Sequence, residues 1–233
     1  SGAITDVNVL LAGVSFNPAS NFNGSFTIAT SVSDGSASAT GSKSFTGVPV
    51  NDAPVLNVTP APTLAGIAQD PPLPAGAVGT LVSALIDFAA PSGQLDNVTD
   101  VDAGAVTGIA VIGADATNGT WYYSTSNGTS WSPIGSPTGT AATLLAADAS
   151  TRLYFRSNAG FFGTVTNAVT FRAWDQTSGV NGGTANTSVN GGTTAFSAST
   201  DVASITVNPT SVQVAPIVIL EGPYNSTTGL MND

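Results

Sequence analysis

A short series of turn and strand signals occurs twice along the chain, and this recurrence constrains the fold more than any other feature. Phe16…Phe22-Asn23-Gly24 is matched by Phe155…Phe161-Phe162-Gly163, and Ser33-Asp34-Gly35 by Trp174-Asp175-Gln176. Val50-Asn51-Asp52-Ala53-Pro54 is matched by Val207-Asn208-Pro209. A period of about 155 residues is that of modules strung in a row. Residues 1–53 then read as the C-terminal half of one module and 54–209 as a complete one. Residues 210–233 read as a linker and the first strand of a following region. The seam is Val50–Leu56. Pro54 removes a backbone donor and pushes Ala53 towards extended geometry, which suits a taut connector.

The segments between turns are short and β-like. Ser25 to Val32 alternates Phe26 and Ile28 with polar residues, the period of a half-buried strand. Asp34-Gly35 marks a hairpin turn and Ala37 to Phe45 the returning strand. Past the seam, Val55 to Val58 reads as a strand, and the prolines between Thr59 and Pro74 confine that stretch to edge or loop. Val78 to Phe88 fits either an apolar strand or a short buried helical turn. Val106 to Ile112 reads as a strand, and Thr120 to Trp131 as a hairpin on a type I′ turn at Asn127-Gly128. Leu144 to Asp148 reads as a short helical turn. Leu153 to Arg156, Val169 to Trp174 and Val202 to Val207 read as strands, with a long polar insertion over 176–200. Val214 to Leu220 would make one strand and is far too short to span a membrane. The fold class expected is all-β, in sandwich domains.

Composition excludes several kinds of chemistry. The chain has no Cys and no His, so thiolate catalysis, zinc or haem ligation through these residues and a Ser-His-Asp triad are all ruled out. Four basic against 14 acidic residues, a net charge of −10, argue against nucleic acid or an anionic membrane surface as partner. Only 8% of residues are charged, so solubility falls to Ser, Thr, Asn and Gly. Ser1 is followed by no basic region and no signal-peptide core, so the chain is expected to be a mature product or a piece of something longer.

The scarce carboxylates are clustered. Asn51 and Asp52 place hard oxygen ligands at the seam, where Ca²⁺ could fix the angle between neighbours, although Asn-Asp before Pro is also an ordinary turn. Asp96, Asp100 and Asp102 fall within seven residues, and Asp100 and Asp102 share one side of an extended chain. Packing like charges costs energy unless a cation offsets it, which favours Ca²⁺ over a solvated acidic turn. Trp121, Tyr122, Tyr123 and Trp131 could stack on a sugar or a partner protein, but cross-strand pairs filling a core are the commoner use. A glycosidase needs two carboxylates across a cleft; the Asp100/Asp102 pair matches this on paper, but its loop reads as a cation site, and an enzyme is not expected. Lys43, the one lysine, reads as a surface residue. Asn23, Asn118, Asn127 and Asn225 are among seven Asn-x-Ser/Thr sequons that would accept a glycan if exposed.

Three of these stretches carry a family resemblance. Phe16–Gly24 (Phe-Asn-Pro-Ala-Ser-Asn-Phe-Asn-Gly), Val32–Gly35 (Val-Ser-Asp-Gly) and Pro49–Val55 (Pro-Val-Asn-Asp-Ala-Pro-Val) resemble the cadherin-like tandem repeats of giant bacterial surface proteins and adhesins. Asp96–Gly104 is similar to the Asp-x-Asp calcium segment of the same class. The resemblance implies antiparallel Ig/cadherin-like β-sandwich modules in tandem, export to the cell surface, and Ca²⁺ at module junctions. Carried over residue by residue, it adds the strand-end residues Asp34 and Asp175 to Asn51, Asp52, Asp100 and Asp102. The second linker departs from the pattern, because Asn208 is followed directly by Pro209 with no Asp.

The function expected is an extracellular spacer or cell-adhesion module of a large bacterial surface protein, stiffened by Ca²⁺. Its partners would be neighbouring repeats or other copies, with surface glycans or proteins as further ligands, no nucleic acid, and no membrane insertion in this segment. The alternative is a subunit of an extracellular filament or sheath in which copies exchange strands.

Overall fold

The computed structural model describes Val9 and residues 12–210. The expected Val214–Leu220 strand and the region beyond it lie outside these residues. The chain is nearly all β, with 40% of residues in strands and 2% helical. The N-terminal part forms a hairpin of β1 (Ser25–Ser33) and β2 (Ser38–Thr46). Its register is unbroken from Ser25↔Thr46 to Ser33↔Ser38. The loop between them is closed by Asp34, whose Oδ1 accepts the Ser36 and Ala37 amides at 2.8 Å, while Gly35 takes φ +92°.

From Pro54 onward a sandwich is assembled. β3 (Val55–Leu56) is followed by β4 (Ile67–Ala68), β5 (Thr80–Leu81), a single 3₁₀ turn at Val82–Ala84, and β6 (Val98–Thr99). Then come β7 (Gly108–Ala114), β8 (Gly119–Ser124), β9 (Ser132–Pro133), β10 (Ala142–Ala146) and β11 (Arg152–Ser157). β12 (Gly163–Trp174), β13 (Thr184–Ala185) and β14 (Asp201–Asn208) complete it. One sheet has the order β13-β10-β7-β12-β14-β4, the other β5-β11-β8-β9, and β3 pairs with β6 as a small flap. Between these strands all pairings are antiparallel except β4 on β14, an edge position that the surrounding prolines permit.

The main core lies between the two larger sheets. Val169, Phe171 and Ala173 of β12, with Ala203, Ile205 and Val207 of β14, are buried at period two, and Val165 joins them across an irregularity in the β12 register. They meet Trp121 of β8 and Leu153 and Phe155 of β11, and the Trp121 and Phe155 rings lie 4.7 Å apart. The Thr120–Trp131 expectation is met in outline: β8 and β9 pair antiparallel, and Asn127 and Gly128 both have positive φ (51° and 84°). The principal partner of β8 is nevertheless β11. Trp121 is buried in the core, whereas Trp131 lies half-buried against Tyr154, edge to face at 5.8 Å.

Three local expectations are corrected. Leu144–Asp148 is not a helical turn: Ala142–Ala146 is a strand buried at every position. Its outer face is covered by the 176–200 insertion, which packs Ala195 and Phe196 against Leu144 and Trp174 in a second apolar cluster. A strand buried on both faces reads as a continuous apolar run, which periodicity cannot separate from a buried helical turn. Val55–Val58 is a strand only over Val55–Leu56. The alternation of β1 does not bury a face, because eight of its nine residues are exposed. Among the described residues it carries only a small aromatic stack, in which Phe26 lies 4.1 Å from Phe16 and 5.2 Å from Phe45.

Candidate functional site at the joint

The seam between hairpin and sandwich brings together residues that stand far apart in sequence. β12 ends at Trp174, so Asp175 emerges at one pole of the sandwich. β6 ends at Thr99, so Asp100 and Asp102 emerge at the same pole. The connector delivers Asn51 and Asp52 there just before β3 starts. Asn51 Nδ2 donates to Asp175 Oδ2 at 2.9 Å and to the Thr194 carbonyl at 3.1 Å. The Asp52 amide donates to Asp102 Oδ2 at 2.8 Å, and the Asp102 amide to Asp100 Oδ1 at 2.9 Å. The Ala53 amide donates to the Gly192 carbonyl at 2.8 Å, fastening the connector to the 176–200 insertion. Pro54 is buried behind it.

Asn51, Asp100, Asp102 and Asp175 line a half-open pocket of about 200 Å³, together with 103–106, Gln176 and Thr177. None of the four basic side chains lines it. Asp175 is only 3% exposed, and its Oδ1 accepts the amide and hydroxyl of Thr177 at 2.8 and 2.6 Å. Asp100 Oδ2 is buried and has no hydrogen-bond partner. An ionised oxygen shut away from both water and donors is costly, and either a proton or a cation relieves it. Burial pushes the Asp100 carboxyl above the usual carboxylate range. The charges of Asp102, Asp175 and Asp52 add to this, against a lowering bond from the Asp102 amide.

The arrangement supplies hard oxygens of the type that suit Ca²⁺: carboxylates of Asp52, Asp100, Asp102 and Asp175, and the amide of Asn51. Several are engaged by backbone or amide donors, and no three carboxylates among the described residues converge on one point. A bound ion would therefore have to draw the connector and the Asp100 loop together. Five of the seven expected ligands meet at this pole. Asp34 is used by its own hairpin turn, where the Ala37 and Ser36 amides hold its carboxyl below the usual range. Asp96, exposed, accepts the Gly93 amide at 2.5 Å in the loop before β6. Its neighbour Asp87, not singled out by sequence, accepts the Gln94, Leu95 and Asp96 amides and so holds that loop closed. Thr177 and Thr194 carry no signal of their own in the sequence; only the resemblance at Asp175, aligned with Asp34, points to their region.

The titration of Asp100 has a definite sign. A carboxyl whose pKa is raised on folding contributes most to stability when protonated, and the contribution is lost as pH rises through the folded value. In chelator, acidification from neutral towards the ordinary value of 3.8 should therefore stabilise the protein at this position. Asp100→Asn should show a flatter dependence of melting temperature on pH over that window. Parallel profiles for the two proteins would remove Asp100 as a strained charge.

The aromatic candidates do not form a second site. Trp121 is core, the Tyr123 hydroxyl donates to the Gly182 carbonyl at 3.3 Å, and Trp131 Nε1 donates to the Gly76 carbonyl at 3.2 Å. Of the sequons, Asn97 is fully buried and donates to the Leu85 carbonyl, so it cannot accept a glycan in the folded chain. No family model, curated protein or solved structure matches the chain.

Proposed function

We propose that this chain is an extracellular spacer or adhesive module of a large bacterial surface protein, whose joint to the preceding segment is stiffened by Ca²⁺. The observation that carries the reading is the gathering of Asn51, Asp52, Asp100, Asp102 and Asp175 around a buried carboxylate oxygen without a donor. These five residues would hold the ion, and its charge would offset the repulsion among four carboxylates. The chain itself supplies the positioning. Asn51 ties the connector to Asp175 and Thr194, and the Asp52 amide ties it to Asp102, so whatever tightens this pole also restrains the hairpin. The all-β fold and the cadherin-like segments at the joint support the same reading, as does a composition that spends few charges elsewhere.

Small-angle scattering with and without Ca²⁺ tests it. Saturating Ca²⁺ should narrow the distribution of hairpin orientations and sharpen the longest dimension of the particle. The changes should disappear in Asp100→Ala with Asp102→Ala. Identical curves in Ca²⁺ and in chelator would overturn the stiffening role.

A further inference from the structure

We propose that the pole of the sandwich opposite the joint binds a neutral saccharide, seated on the Phe162 ring among Asp115, Asn118 and Asn167. The site names a ligand for the adhesive reading above, on which its cellular meaning rests, and it needs no cation. Three segments distant in sequence build it: the β7–β8 turn over 115–118, the β11–β12 loop over 158–162, and the first half of β12. Asp115, Asn118, Phe161, Phe162 and Asn167 line an open pocket of about 330 Å³ there. That volume falls in the range in which proteins hold small ligands.

The pocket follows from how β12 begins. β7 stops at Ala114, opposite Val169, so β12 has no partner on that side before Val169. On its other side it slips against β14: Val165 faces Ile205 and Val169 faces Ala203, so β12 spends four steps where β14 spends two. Such a bulge re-aims side chains. Here it leaves Thr166 and Asn167 both exposed, where a regular strand would turn one of them inward. The 115–118 turn takes the place that β7 gives up. The Asp115 amide donates to the Ala168 carbonyl at 2.9 Å, and the indole N–H of the core residue Trp121 donates to the Asp115 carbonyl at 2.8 Å. The Asn158 amide donates to the Asn118 carbonyl at 2.8 Å, and Phe161 packs against the core. The backbone is thus fastened from three sides, which spares a ligand the cost of ordering it.

The side chains keep their binding capacity. Phe162 is 58% exposed beside its tucked-in neighbour. Among the described residues the carboxamides of Asn118 and Asn167 make no hydrogen bond, although the backbone around them is fully engaged. Asp115 Oδ1 accepts the Thr117 amide at 2.9 Å, and the hydroxyl and amide of Thr117 hold the Asp115 carboxyl below the usual range. It is therefore an ionised acceptor at neutral pH, with lone pairs to spare. Carboxamides that donate and accept, next to a carboxylate that only accepts, match adjacent hydroxyls, which do both. The negative face of a phenyl ring suits the C–H face of a pyranose. Other ligands fit less well. Among the described residues no basic side chain lines the pocket, so an anionic group would meet Asp115 with nothing to offset the repulsion. One carboxylate is too few for Ca²⁺. An apolar ligand would cover the polar groups without pairing them.

Titration of the isotope-labelled full chain by nuclear magnetic resonance is the test, in Ca²⁺ and again in chelator. The protein is made without glycosylation, so that the Asn118 carboxamide is free. The probes are the methyl glycosides of glucose, galactose, mannose and N-acetylglucosamine, with N-acetylneuraminic acid as the anionic control. At least one neutral glycoside should shift the side-chain amide signals of Asn118 and Asn167 and the backbone amide of Gly163, equally in both media, and the anionic sugar should not. Phe162→Ala should weaken that binding about tenfold, the loss of one ring-stacking contact, and Asn167→Ala about fivefold, the loss of one hydrogen bond. Both positions are exposed, and near-ultraviolet dichroism of the buried tryptophans checks that the sandwich persists. No shift with any of the four glycosides, shifts that map elsewhere, equal binding of the anionic sugar, or binding that survives both substitutions would overturn the inference. Binding lost in chelator would overturn it too, by moving the sugar to the acidic pole. Scattering curves indifferent to Ca²⁺ would sink the stiffened joint and leave this site standing.

Discussion

Trp174→Ala is expected to lower the melting temperature by about 10 °C or more, since removing a large buried aromatic costs about 3–5 kcal/mol and each kcal/mol shifts a module of this size by about 2–4 °C. Trp174 is 1% exposed at the end of β12. Its register partner Gly108 leaves room for the ring: a Cβ there would stand 3.0 Å from Trp174 Cε3. The indole Nε1–H donates to the Ser178 carbonyl at 2.8 Å, and the ring belongs to the cluster formed with Leu144, Ala195 and Phe196. It is thus a fastener for the 176–200 insertion. The insertion in turn supplies the Thr194 and Gly192 carbonyls that grip Asn51 and Ala53.

This gives the substitution a second consequence that a purely structural role would lack. Trp121→Ala removes a comparably buried ring from the other core, against Phe155, and should cost a similar amount. It should leave the connector untouched. Trp174→Ala should in addition speed proteolysis at the connector at temperatures well below unfolding. Limited proteolysis beside thermal melts separates the two. Equal protection of the connector in both variants would show that the insertion does not hold it.

The second large effect concerns the buried carboxylate. At Ca²⁺ a hundredfold above its dissociation constant the native chain should gain about 2.7 kcal/mol, or about 5–10 °C in melting temperature. Asp100→Asn should behave in the opposite way. In chelator it should melt above the native chain, because it replaces a buried charge without a donor by a neutral amide that can donate to its acidic neighbours. In Ca²⁺ it should melt below, having lost a ligand. The crossing of the two orders is the signature. If Asp100→Asn is higher in both conditions, the carboxylate is strained but holds no ion. If calcium moves neither protein, the metal centre is absent.

How far the sequence could be read depended on whether the decisive contacts were local. The hairpin at Asp34-Gly35, the left-handed pair Asn127-Gly128 and the closing strand Asp201–Asn208 follow from turn chemistry and period-two burial within a few residues. The acidic pole was legible in part, because Asn51, Asp52, Asp100 and Asp102 lie in two compact motifs. Asp175 entered only through the family resemblance, at the position that the repeat aligns with Asp34. Asp34, its sequence counterpart, went the other way: the short turn consumes its carboxylate, whereas the long loop after Asp175 leaves one oxygen facing Asn51.

Thus the chain's own residues settled what it can be: a β protein with no thiol or imidazole chemistry, punctuated by Gly, Pro and Asn, with its few acids placed beside a connector. These are local or compositional properties, and each residue carries them wherever it ends up. Tertiary structure decided which surfaces are inside and which acids are neighbours. Ala142–Ala146 became a strand because a distant insertion covers its second face. Ser25–Ser33 stayed exposed because no described element covers it. The Asp100 carboxyl is pushed up because it is buried and because Asp102 of its own loop, Asp175 at the end of β12 and Asp52 of the connector all lie near it. Burial and Coulomb energy depend on what lies within a few ångströms in space, and the order of residues along the chain does not specify that.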